Sequence, residues 1–376
     1  MRSFRMVLSM TIVLALATAP VLADAAGLLL NLARLATPRP GSGTLAKLDF
    51  TLDEDFGPDS IAWSPDGRYI ADTGTLSSTL NIWSVAERRV IQHFESVSSG
   101  PLLHALTFSP DSKWLAFCNY GQLTVYAVAD WRLAHTESKP GGSCHGRVAF
   151  SDDGKQLAVN ARELVVLNTS DWSTIKTIDS AWRSGKDTEV LVFVPGTHDL
   201  VIGSGDRFPD YAGQTNPPAG GVLWVLAEGE RIPGRRIPVY LPDPESHFNS
   251  DVISIAMSQS GKQLVTGART GNGAARHEIK SAIRIIDFAS GNIVASPLDG
   301  IAQSHQNGLA YSSDGRYLIV GDDNQQSPKV YLVATSNLTK IDTIELSWSA
   351  RDVAANPIGN GFAVATGTRI GVWRIH

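Results

Sequence analysis

Ser60-Ile-Ala-Trp-Ser-Pro-Asp-Gly-Arg-Tyr-Ile-Ala71 sets two short apolar runs on either side of a tight polar corner. Ile61 and Trp63 alternate with the small Ala62, the period-two pattern of a strand with a bulky face and a slim one. Pro65-Asp66-Gly67 reads as a turn, because proline fixes φ, aspartate bonds nearby backbone and glycine accepts positive φ. The unit returns as Ala105-Leu-Thr-Phe-Ser-Pro-Asp-Ser-Lys-Trp-Leu-Ala116 and as Arg147-Val-Ala-Phe-Ser-Asp-Asp-Gly-Lys-Gln-Leu-Ala158. Weaker copies start at Val190, Ser254, Gly308 and Asp352. Anchored on the residue after the first strand (Ser64, Ser109, Ser151, Val194, Ser258, Ser312, Asn356), the seven copies are spaced by 45, 42, 43, 64, 54 and 44 residues.

Each unit continues into two further strands, Thr79–Val85 and Arg89–Glu95 in the first, giving four antiparallel strands a to d. Self-similarity at this period predicts an all-β, seven-bladed β-propeller of four-stranded antiparallel blades. The last unit runs out at strand c, Ile370–Ile375, while Leu45–Leu52 stands as a spare strand before the first unit. Pairing the two completes the last blade and closes the ring, which removes an open sheet edge.

Composition agrees with a large core. Of 376 residues, 43% are hydrophobic and only 18% charged, with 34 Gly and 19 Pro, which argues against both a disordered chain and a helical coil. A net charge of −5 without a long basic run argues against nucleic acid as a partner. Arg2 and Arg5, the apolar stretch Met6–Ala19 and small residues around Ala23 and Ala25 read as a secretory signal over residues 1–25. A flexible lead-in over 26–44 and the propeller over 45–376 follow, with a periplasmic or secreted location and no stable membrane insertion after cleavage. The renewed apolar pattern at Gly27–Leu35 leaves an uncleaved anchor as the second reading.

On these repeats the chain resembles WD-repeat propellers over about 45–376, closest to exported bacterial propellers with Ser-Pro-Asp-Gly repeats such as the Tol translocation propeller. It departs from the Trp-Asp signature at the end of strand c, where Trp83-Ser84, Tyr126-Ala127, Leu167-Asn168 and Trp373-Arg374 stand; Ile286-Asp287 keeps the aspartate. The resemblance implies a fold and a binding platform and carries over no catalytic residue.

In such a blade the a–b and c–d turns share one face, and the b–c and d–a connections share the other. The first set reads as uniformly short, as in Ala129-Asp130-Trp131 and Ala289-Ser290-Gly291. Extra length collects on the second, in Gly205–Gly221 of blade four, Thr270–Ser281 of blade five and Asp322–Lys329 of blade six. One-sided lengthening on a rigid scaffold marks a binding face, against a second reading of neutral loop drift. Candidate contacts there are Trp182, Arg207, Phe208, Asp210, Tyr211, His247, Phe248, Arg269, Arg276, His277, Asp322 and Asp323, rich in the aromatic and arginine side chains that anchor interfaces.

At the channel mouth, five residues before each anchor, the polar candidates are Asp59, His104, Glu189, Asn307 and Arg351, with His145 beside them. The mixed character of this ring does not make a metal shell, so no metal and no cofactor is expected. No Gly-x-Ser-x-Gly or His-Glu-x-x-His motif occurs, and no catalytic residue is assigned. Cys118 and Cys144, the only two cysteines, fall near one face on adjacent blades, and either a disulfide or two separate thiols fits an exported chain. The leading expectation is a non-enzymatic scaffold or accessory subunit binding a protein partner in the cell envelope. The alternatives are a lactonase- or dehydrogenase-type propeller enzyme and a small-ligand or glycan sensor.

Overall fold

The computed structural model describes residues 41–53, 57–74, 79–95, 105–119, 122–138, 148–160, 164–178, 187–207, 219–240, 252–268, 283–298, 308–322, 327–367 and 369–376. Their 28 strands form seven four-stranded antiparallel sheets, as the repeat predicts. Six sheets are consecutive in sequence, and the seventh joins the chain's two ends. Its strands a, b and c are Asp352–Ala355, Gly361–Ala365 and Arg369–Ile375, and its strand d is Ala46–Asp53, paired antiparallel from Ala46↔Ile375 to Asp53↔Arg369. The innermost strands touch in an unbroken cycle from blade one to blade seven and back.

The core is divided among the junctions between blades. Seven separate apolar clusters lie one per junction, each built from two neighbouring sheets. The alternation in strand a sets the packing direction. Ile61 and Trp63 face the junction with blade seven, whereas Ala62 faces blade two. Leu106 and Phe108 likewise face the preceding blade, and the pair Val148/Phe150 opposes Ala149 in the same way. Bulk on one face and a methyl group on the other lets successive sheets approach closely around the axis.

The quoted corner is locked by its own serine. Ser64 Oγ accepts the Tyr69 amide at 2.9 Å and donates to Asp66 Oδ1 at 2.7 Å, and Asp66 in turn accepts the Arg68 amide at 3.0 Å. Ser109/Asp111, Ser151/Asp153 and Ser312/Asp314 repeat the arrangement. Gly67, at φ 76°, closes the turn, and a Cβ on it would collide with the Ile358 side chain of blade seven. At the c–d turns, Trp131 and Trp172 adopt positive φ, 57° and 62°, and their rings meet Tyr69 and Trp114 of the preceding blade edge-on at 5.3 and 5.4 Å.

The seam between the chain ends has a further fastening. Asp342, in strand d of blade six (Thr339–Glu345), accepts the amides of Thr44, Leu45 and Ala46 and the Thr44 hydroxyl, all at 2.8–2.9 Å. Gly41 donates to Glu345 O, and its carbonyl receives the Trp373 indole at 3.0 Å. The end of the expected lead-in, residues 41–44, is therefore already bound to the propeller. At Gly43 a Cβ would sit 2.3 Å from the Asp342 carboxylate, so only glycine lets the chain pass.

Burial raises the Asp342 pKa, but the four hydrogen bonds outweigh it and hold the group below its usual 3.8. A depressed pKa contributes stability above about 3.8 that is lost as pH falls through the folded value. Asp342→Ala leaves three amides without their acceptor and is expected to cost about 2–3 kcal/mol at pH 7. In thermal melts from pH 7 to pH 3, the gap between wild type and variant should narrow as acid protonates the latch.

Candidate functional site

Blade four departs from its neighbours at both ends. Its strands b (Leu200–Arg207) and c (Ala219–Leu226) are eight residues each, against five or six for strand b elsewhere. They stay in register to Asp206↔Gly220 and Arg207↔Ala219. Two extra residue pairs lift this hairpin about 7 Å beyond an ordinary blade. Strand d (Arg235–Pro238) and the amides of Val239 and Tyr240 after it reach only Gly221, so Ala219 and Gly220 on strand c rise past them. The stretch Gly205–Gly221, read as a loop insertion, thus begins and ends as strand because continuous backbone pairing carries it outward.

The opposite face is not uniformly short. The c–d connection of blade four, Ala227–Gly234, is eight residues long and presents Glu228, Glu230 and Ile232. The expectation of a plain a–b/c–d face fails there, because no Asx-Trp or Ser-Gly turn signal occurs between Leu226 and Arg235.

Two of the channel-mouth candidates are brought together. Arg351 Nη1 lies 2.7 Å from Asp59 Oδ1 across the junction of blades seven and one, with the Asp59 side chain 5% exposed and that of Arg351 27%. One residue further along each strand, fully buried Asp352 accepts the Ser60 hydroxyl at 3.0 Å and the Ile61 amide at 2.8 Å. The same offset in neighbouring repeats becomes neighbouring positions in space, so the two contacts form a ladder along the seam. Asp352 and Ser60 were absent from the sequence-based candidates, although their equivalent offsets carried the signal.

Asp322 ends strand b of blade six, and its buried carboxylate faces the Tyr331 hydroxyl at 3.4 Å. It is a packing group rather than a presented contact. Cys118 is buried at the end of blade two in the cluster that contains Val148 of blade three. Arg207 and Glu189 are placed by their backbone alone. Trp182, Phe208, Asp210, Tyr211, His247, Phe248, Arg269, Arg276, His277, Asp323, His104, His145, Asn307 and Cys144 lie outside the described residues. Among the described residues no group of three or more His, Cys, Asp or Glu is placed to hold a metal ion.

One exposed aromatic lies outside the repeat pattern. Trp348 sits in the connection from blade six to blade seven, on the same face as the blade-four hairpin, and is 48% exposed. Its ring rests so closely on Gly367 that a Cβ there would be 2.9 Å away. A lone Trp between Ser347 and Ser349 has no repeat counterpart to draw attention to it.

Residues 54–84, the first strands of blade one, match the family model "WD domain, G-beta repeat" of WD40. Among solved structures, the chain is similar to the crystal structure of the Cps50 (Swd1) β-propeller domain from Myceliophteria thermophila. The TM-score is 0.65 at 14% identity, over 88% of this chain and 100% of that one. The fold is a seven-bladed β-propeller, one stretch of which matches the WD40 repeat model.

The seam ladder yields a quantitative expectation. Arg351→Ala strips a buried carboxylate of its cation and should destabilise by about 1–3 kcal/mol, the partial exposure of Arg351 keeping it below a fully buried pair. A double-mutant cycle with Asp59→Asn, read by urea midpoints, should return a coupling near 1 kcal/mol; additive costs would mean no pairing in solution.

Proposed function

We propose that this chain is an exported, non-enzymatic propeller that binds a protein partner in the cell envelope through its b–c/d–a face, as a scaffold or accessory subunit. The observation that carries the reading is the asymmetry of blade four: its b–c hairpin rises beyond the other blades. Trp348 supports it as an exposed aromatic on the same face, of the kind that anchors interfaces. WD40 propellers are generally protein-interaction platforms, and this fold fits such a role. Mutual neutralisation of Asp59 and Arg351 withdraws two polar groups from the channel-mouth enzyme reading.

Export rests on the charged and apolar pattern of residues 1–25 and on the likeness to exported Ser-Pro-Asp-Gly repeats. A Cys118–Cys144 bond belongs to the same proposal. Cys118 packs with Val148, and Cys144 precedes Val148 by four residues, within reach of the same junction. Peptide mapping without reductant should recover the two cysteines in one linked fragment; separate alkylated peptides from oxidising medium would remove the bond from the account.

The partner face is tested by shortening 208–218 to a two-residue turn and, separately, by Trp348→Ala, followed by co-purification from the native envelope fraction. Both variants should keep the wild-type melting midpoint while recovering a specific partner at least about tenfold less, the loss of one interface anchor. Equal recovery from all three proteins would overturn the assignment.

A further inference from the structure

We propose that His198 is a proton-operated clasp that fastens the a–b corner and the long c–d loop of blade four to blade three, on the face opposite the proposed partner site. His198 lies in the corner between strands a and b of blade four. Its Nδ1 is 2.7 Å from Glu228 Oε1, in the loop Ala227–Gly234, and its Nε2 is 3.2 Å from Asp153 Oδ2, in the corner of blade three. A neutral imidazole carries a single N–H, so it donates to one carboxylate and turns a lone pair on the other. The imidazolium donates to both at once. Protonation therefore decides whether His198 bridges the two carboxylates at once, adding to the backbone-directed contacts that already hold these segments together.

The surroundings favour the charged form. From the blade-three corner, Asp152 accepts the Gly196 amide at 2.7 Å, and Asp153 also meets Lys155 at 3.3 Å. From strand d of blade three, largely buried Lys176 reaches over to the Ala227 carbonyl at 3.2 Å. On blade four itself, Asp199 accepts the Glu228 amide at 2.8 Å, and Glu230 adds its charge in the same loop. Five carboxylates thus stand against two ammonium groups and the Arg231 guanidinium of the same loop.

The Glu228 hydrogen bond, opposed by partial burial and reinforced by Asp153, raises His198 above its ordinary 6.5. A raised folded-state pKa means that the clasp's stabilisation is complete below about 6.5 and disappears as pH climbs through the folded value. The apolar junction beneath, with Ile178, Leu191 and Phe193, does not titrate, so the ring stays closed while the corner and loop loosen. The loop is eight residues long and has no tryptophan like those by which the c–d turns of blades two and three pack on the preceding blade, so His198 and Lys176 tie it down instead.

Three readouts on the full-length chain test this. The His198 ring proton, assigned by its loss in His198→Gln, should titrate above 6.5, and Glu228→Gln should bring that midpoint down. Between pH 6 and pH 9 the melting advantage of wild type over His198→Gln should shrink by about 1 °C, the scale expected of one surface clasp in a domain this large. Amide exchange over 227–234, corrected for intrinsic rates, should rise with pH in wild type and stay level in His198→Gln. A His198 ring that titrates at or below 6.5, or a melting difference constant across pH, would overturn the clasp. Should His198→Gln fail to fold, the ring titration in wild type and Glu228→Gln decides alone.

Discussion

The pairing of Ala46–Asp53 with Arg369–Ile375 is the contact on which the rest of the molecule depends. A four-stranded sheet cannot bury either face by itself, so each blade is stable only between two neighbours. Without the returning N-terminal strand, blade seven would lack its outer strand and show a free edge, and the clusters on both its sides would thin. Polar contacts also fasten this seam: Asp342 grips the entering chain, Asp352 joins strand a of blade seven to blade one, and Arg351 neutralises Asp59. These carboxylates do by directed hydrogen bonds what continuous sequence does for the other six blades.

Closure also fixes where variation is tolerated. Side walls are committed to junctions, and the a–b corners are committed to their Ser-x-Asp turns. Chain of variable length remains at the two ends of the blades, and blade four uses both. At one end its hairpin rises past the ordinary strand length; at the other, Ala227–Gly234 is tied back through Glu228, His198 and Lys176. A single blade thus links the two faces mechanically, since strands b and c run unbroken from the clasped corner to the raised hairpin.

The architecture was readable because its cause is local and repeated. Alternation such as Ile61-Ala62-Trp63 both announces a strand and dictates which neighbour it packs against, and Ser-Pro-Asp-Gly carries its own turn chemistry. The site was less legible, for a physical reason. Asp342 meets Thr44 across 298 positions, and no local pattern encodes such a partner. Asp59 and Arg351 stood out singly as polar residues at one offset, yet their pairing follows only when equivalent positions of blades seven and one are placed side by side. Trp348 has no repeat counterpart, and His198 stands at a corner position where most other copies carry lysine or arginine, so its role follows from its two carboxylate neighbours rather than from periodicity.

The proposed division of labour between the faces is tested most directly by site-specific photo-crosslinking in intact cells. A photoreactive phenylalanine replaces Gln214, in the blade-four insertion, or Lys113, whose side chain is 71% exposed on the a–b corner of blade two. The account predicts a discrete protein adduct from position 214 and none from position 113. Adducts from position 113 alone, or the same adduct from both, would contradict it.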